Sequence, residues 1–173
     1  MKKTIITLAL STLLMSQAFT QGSLSRSLGN LTNYSTEGQR LLLNTDYGKA
    51  ELTVYEPGII RIRIVKDDFR KDFSYAVVAG TGKAGYTLEE AQDRLVVRTE
   101  ALRLDISRNP VRFSFYNPDG RLLNADDPAF GTAWIGTEVT TYKQLLDGER
   151  FIGLGEKTGN LDRRGSAYDN WNT

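Results

Sequence analysis

Apolar residues recur at every second position through much of the chain. Ile60, Ile62 and Ile64 alternate with Arg61, Arg63 and Val65, and Leu52 and Val54 with Glu51, Thr53 and Tyr55. Leu102, Leu104 and Ile106 alternate with Arg103, Asp105 and Ser107; Val111, Phe113 and Phe115 alternate with Arg112, Ser114 and Tyr116. Residues two apart share one face of an extended strand, so each segment buries one face and wets the other. Between them stand Glu56-Pro57-Gly58, Arg108-Asn109-Pro110 and Asn117-Pro118-Asp119-Gly120, all built from turn formers. Strands so spaced predict an all-β fold, an antiparallel sandwich or barrel. Further strands are expected at 73–78, 86–89, 95–99, 132–142 and 150–155. Only 88–94 carries a trace of helical pattern. Residues 19–38 are polar and rich in Gly and Ser, which reads as a flexible lead-in.

Two residue types are missing, and their absence limits the chemistry. The 173 residues contain no His and no Cys. Ser-His-Asp and Cys-His nucleophile systems, His metal sites, thiolate zinc sites and disulfides are therefore excluded. Lys and Arg number 22 against 21 Asp and Glu. Without a basic excess, no nucleic-acid partner is expected.

The N-terminus has the three parts of a secretory signal. Met1-Lys2-Lys3 is basic, Thr4 to Met15 is mostly apolar, and Ser16-Gln17-Ala18 supplies small residues at a cleavage site after Ala18. The apolar run is too short to span a bilayer as a helix. The expected layout is a signal peptide at 1–18, the lead-in at 19–38 and a β-sandwich domain at 39–173. The mature protein would be exported to the periplasm or the extracellular space, with no membrane contact after cleavage.

Several motifs carry less than their patterns suggest. Gly80-Thr81-Gly82-Lys83-Ala84-Gly85 fits G-x-G-x-x-G, but a dinucleotide site also needs a helix opening at the loop within a parallel unit. The neighbours look antiparallel, so a hairpin loop is expected. Ala84 stands where a phosphate loop needs Ser or Thr. Asp67, Asp68 and Asp72 alternate with Lys66, Arg70 and Lys71, which reads as a solvated, self-neutralised turn. Asp126-Asp127-Pro128 reads as another turn.

The C-terminal stretch from Glu149 to Thr173 is dense in Gly, charge and aromatics. It starts as a strand and leaves as a loop over 156–173. Gly153, Gly155, Gly159 and Gly165 permit positive φ and close backbone approach. Charge beside aromatic rings suits a polar ligand such as a sugar. The plainer alternative is a surface loop with an Arg163/Asp162 ion pair.

This stretch resembles the end of the N-terminal domain of family 31 glycoside hydrolases, the α-glucosidase family. The matching residues are Arg150-Phe151, Gly153-Leu154-Gly155-Glu156-Lys157-Thr158-Gly159, Leu161-Asp162-Arg163-Arg164-Gly165, Tyr168 and Trp171-Asn172-Thr173. Weaker matches are Ile60-Arg61-Ile62-Arg63-Ile64, Phe73-Ser74-Tyr75-Ala76-Val77 and Phe130-Gly131-Thr132. The resemblance implies a galactose mutarotase-like β-sandwich. It also implies that the two catalytic carboxylates of a retaining enzyme lie on a (β/α)₈ barrel that follows the sandwich. No segment here matches either carboxylate, so no catalytic residue is assigned.

Three functions compete. The first is a non-catalytic domain of an exported α-glucosidase that braces its downstream catalytic barrel. It would lend Arg163, Arg164, Asp169, Trp171 and Asn172 to the active-site rim, with an α-linked carbohydrate as the enzyme's substrate. Trp171 is the expected packing anchor, with the arginines holding the loop through ion pairs. The second is a free-standing carbohydrate-binding module, which needs exposed aromatics on a concave sheet face. The third, an aldose mutarotase, relies on His in the family and is rejected. No cofactor and no metal are called for.

Overall fold

The computed structural model describes residues 25–78, 80 and 84–170. The expected signal at 1–18 lies outside the described residues. Among the described residues there are strands and no helix. Strands β2 (Leu31–Glu37), β3 (Arg40–Thr45), β4 (Lys49–Glu56) and β5 (Ile59–Val65) form an antiparallel meander in that order. Strands β6 (Thr87–Glu90), β7 (Arg94–Arg98), β8 (Arg103–Arg108), β9 (Val111–Tyr116) and β10 (Leu122–Ala125) form a five-stranded antiparallel meander. A small third sheet joins β1 (Arg26–Ser27), β11 (Thr132–Ile135) and β12 (Glu138–Thr141) in that order.

The two large sheets share one core. Leu41 and Leu43 of β3 and Ala50 and Leu52 of β4 meet Leu95 and Val97 of β7, Leu104 and Ile106 of β8, and Val111 and Phe113 of β9. Each strand contributes two residues spaced by two, the period that points side chains to one face. Each such Leu, Ile, Val or Phe contributes roughly 1.5–3 kcal/mol by leaving water. Leu28 and Trp134 bring the third sheet into the same cluster. Gly48 allows this junction: a Cβ there would lie 2.6 Å from the Val65 carbonyl oxygen and 3.2 Å from Leu28.

The structure departs from the sequence expectations in definite places. Within 19–38, residues Leu31–Glu37 form β2 rather than a loose lead-in. A register shift between Leu31 and Asn33 breaks the period, so Leu31 and Tyr34, three apart, both reach the core. The 132–142 stretch is a hairpin, turning at Gly136, rather than one strand. Residues 73–78 are not a strand, and 150–155 keeps only the isolated bridge Ile152–Asp162. The trace of helix at 88–94 is the end of β6 and the turn into β7. Gly85 leads into β6, which pairs antiparallel with β7. That context excludes the parallel unit a dinucleotide loop requires.

Candidate functional site

The outer face of β4 is largely covered, contrary to the simple alternation. Glu51 and Thr53 of β4 are buried along with Leu52 and Val54. The cover comes from the segment after β5, which folds back over the sheet. The Arg63 guanidinium donates to the Glu51 carboxylate at 3.2 Å and to the Arg70 carbonyl at 2.9 Å, and lies 5.0 Å from the Phe69 ring centre. Lys49 donates to Asp68 at 2.5 Å. Arg61 grips Asp72 with two nitrogens, one at 2.8 Å, and reaches the Tyr55 hydroxyl at 3.4 Å. Asp68 and Asp72 thus pair with cations on the sheet, not with their sequence neighbours as the turn reading expected. The Arg61 hydrogen bonds hold the Asp72 carboxyl below its usual range.

Between this segment and the sheet opens a cleft of about 580 Å³. Tyr55, Glu56, Ile59, Arg61, Asp72 and Phe73 are among its walls. Phe73 and Tyr75 stack edge to face with ring centres 4.6 Å apart, and both are exposed. The Ser74 hydroxyl accepts from the Ala76 and Val77 amides at 3.2 and 3.1 Å, fixing the bend beside the rings.

The C-terminal loop is organised by its own polar groups. Arg163 donates to the carbonyls of Thr158 and Lys157, both at 3.2 Å, and to the Tyr168 hydroxyl at 3.1 Å. Arg164 donates to the carbonyls of Leu146 at 2.9 Å and Glu149 at 2.6 Å. The Asp162 carboxylate accepts from the amides of Arg164 at 3.0 Å and Phe151 at 3.1 Å. Those two amides hold its pKa below the usual range. Among the described residues, the arginines therefore grip backbone carbonyls instead of forming the expected ion pairs. Glycines at positive φ, among them Gly155 at 66° and Gly165 at 73°, make the folds, as does Leu154 at 67°. Phe151, Leu154 and Leu161 of this C-terminal stretch are exposed.

Arg163 and Arg164 thus sit in one pinned loop, and the Asp169 carbonyl joins it by accepting from Lys157 at 3.1 Å. Trp171 and Asn172 lie outside the described residues. The cleft at Arg61 and Phe73 was missed in the sequence, although the Ile/Arg alternation of β5 already sets Arg61 and Arg63 on one outer face. Among the described residues no cluster of acidic side chains gathers to hold a metal ion. Asp72 and Asp162 are both held ionised, which makes them poor proton donors near neutral pH but firm anchors.

Residues 49–173 match a family described as the glycosyl hydrolase 31 N-terminal galactose mutarotase-like domain. Fold and match together define the class, a galactose mutarotase-like β-sandwich. The chain belongs to that glycosyl hydrolase 31 N-terminal domain family. It is 27% identical over 147 residues to alpha-glucosidase 2 of Bacillus thermoamyloliquefaciens, covering 84% of this chain and 19% of that protein. It is 28% identical over 101 residues to an isomaltosyltransferase of Sporosarcina globispora, covering 53% of this chain and 9% of that one. A solved Flavobacterium johnsoniae family 31 dextranase, complexed with glucose, superposes with a TM-score of 0.77 at 31% identity, covering 86% of this chain and 19% of the dextranase. A second structure of that dextranase, complexed with isomaltotriose, gives 0.79 and 32%. The chain spans about a fifth of alpha-glucosidase 2 and of the dextranase.

Proposed function

We propose that this chain is the non-catalytic β-sandwich domain of an exported, retaining α-glucosidase-type hydrolase acting on α-linked carbohydrate. It braces the catalytic barrel, and its 156–173 loop stands at the active-site rim. The observation that carries this reading is the N-terminal-domain match joined to a C-terminal stretch that is pinned to its own backbone and exposes apolar side chains. Phe151, Leu154 and Leu161 then have a protein surface to cover them. Arg163 and Arg164 act as struts, since each donates to two backbone carbonyls.

The test replaces Arg164 and Trp171 by Ala in the chain joined to its barrel, with kinetics and melting measured together. A rim loop positions substrate, and a displacement of about 1 Å costs on the order of 10²-fold in rate. The expected result is a fall in kcat/KM that exceeds any loss of stability. Unchanged kcat/KM in both variants, with the fold intact, overturns the rim role.

A further inference from the structure

We propose that the cleft between the outer face of β4–β5 and the segment carrying Asp72 and Phe73 is an accessory site for a neutral α-linked oligosaccharide. The choice of sugar rests on the glycoside-hydrolase reading above; the existence of a ligand site rests on the cleft itself. At about 580 Å³ the cleft falls within the size range of small-molecule sites.

Its walls divide in the way a sugar ring divides. Pyranose rings present apolar C–H faces and hydroxyl edges. Tyr55, Ile59 and Phe73 supply apolar surface, and Arg61, Asp72 and Glu56 supply polar groups. Arg61 and Asp72 face each other across paired hydrogen bonds, yet their side chains remain 38% and 44% exposed. A guanidinium carries five N–H donors and a carboxylate about four acceptor sites. The pair therefore keeps spare donors beside spare acceptors, the arrangement that meets two neighbouring hydroxyls. Charge narrows the ligand further. Arg61 and Asp72 neutralise each other, and Arg40 and Arg63 also act on the Asp72 carboxylate. The pair at the centre of the cleft therefore offers no strong net charge of either sign, which suits a neutral polyol.

The site is also set in place before any ligand arrives. Asp72 is clamped by Arg61, Ser74 caps the following bend, and Phe73 rests edge-on against Tyr75. The mutual grip of Arg61 and Asp72 lowers the ordering cost of binding at that pair.

The experiment is a titration of the full chain with maltotriose and with isomaltotriose, followed by amide chemical shifts. The expected result is saturable shifts at Ile59, Arg61 and Phe73 for one trisaccharide, with a Kd on the order of 1 mM. Phe73→Ala, which removes apolar wall, and Tyr55→Phe, which removes the hydroxyl that accepts from Arg61, should each weaken binding, the former by about tenfold. Arg98→Ala on the opposite sheet should not. If Phe73→Ala fails to fold, Tyr55→Phe and the wild-type shift map still decide. No saturable shift with either sugar, or unchanged affinity in the folded cleft variants, overturns the proposal and leaves the face to a protein partner. Shifts confined to 151–168 overturn the cleft while leaving the rim reading standing. No barrel is needed for the measurement, so loss of the cleft and loss of the catalytic reading are separate results.

Discussion

Arg112 shows how one side chain can organise a whole turn. It sits in β9 yet is buried, and burial pushes its guanidinium below the usual range despite the nearby Asp126 and Asp127. It donates to the carbonyls of Val111 at 2.8 Å, Asp127 at 3.1 Å and Ala129 at 3.0 Å. The Asp126 carboxylate beside it accepts from the Phe113 amide at 3.0 Å and from Lys143 at 2.6 Å. Asp126-Asp127-Pro128 is therefore a polar knot against the core, more than the plain turn its composition suggests. Gly131 closes the knot at φ 54°, and a Cβ there would stand 2.7 Å from the Arg112 Nε. Ordinarily a long side chain would swing aside, but three carbonyls hold this one. Gly131→Ala should cost about 2–3 kcal/mol from the left-handed φ and the displaced guanidinium. A lower melting temperature, by about 4–10 °C, is the expected reading. An unchanged melt would mean that Arg112 moves freely and that the knot contributes little.

At the scale of elements, what could be read in advance was what obeys a strict period of two. Leu104 and Ile106, and Val111 and Phe113, face the core as their spacing requires. β2 was hidden because its bulge puts core residues three apart, and β3 because Leu41-Leu42-Leu43 has no alternation to read. Phe73, Tyr75 and Val77 alternate as a strand would, but Arg61 holds Asp72 and the chain crosses the sheet instead of extending it. No local pattern announces such a long-range clamp. The C-terminal loop was legible as a gathering of Gly and charge, not in its wiring to backbone carbonyls. That wiring has a pH signature. Asp162 has a lowered folded pKa, so its contribution is full above the ordinary Asp range and is lost as pH falls through the folded value. Protection of the Phe151 and Arg164 amides, relative to the intrinsic exchange rate at each pH, should be high near neutrality and fall below about pH 4. Asp162→Asn should remove that dependence. Protection that ignores pH in the wild type would show that the carboxylate does not pin the loop.

On the functions proposed above, the whole molecule is a scaffold with two binding faces. The sandwich core fixes β4 and β5, these carry the cleft, and the C-terminal stretch exposes Phe151, Leu154 and Leu161. The carboxylates at both places are held ionised by donors, a state suited to anchoring and unsuited to protonating a leaving group. Catalysis on this reading belongs to the part of the enzyme that its relatives have and that this chain, a fifth of their length, does not span. Turnover of an aryl α-glucoside, measured for the purified chain alone and for the chain joined to its barrel, tests this division most directly. The expected result is no turnover alone and turnover when joined. Turnover by the chain alone that disappears on Glu156→Ala or Asp162→Ala would contradict it.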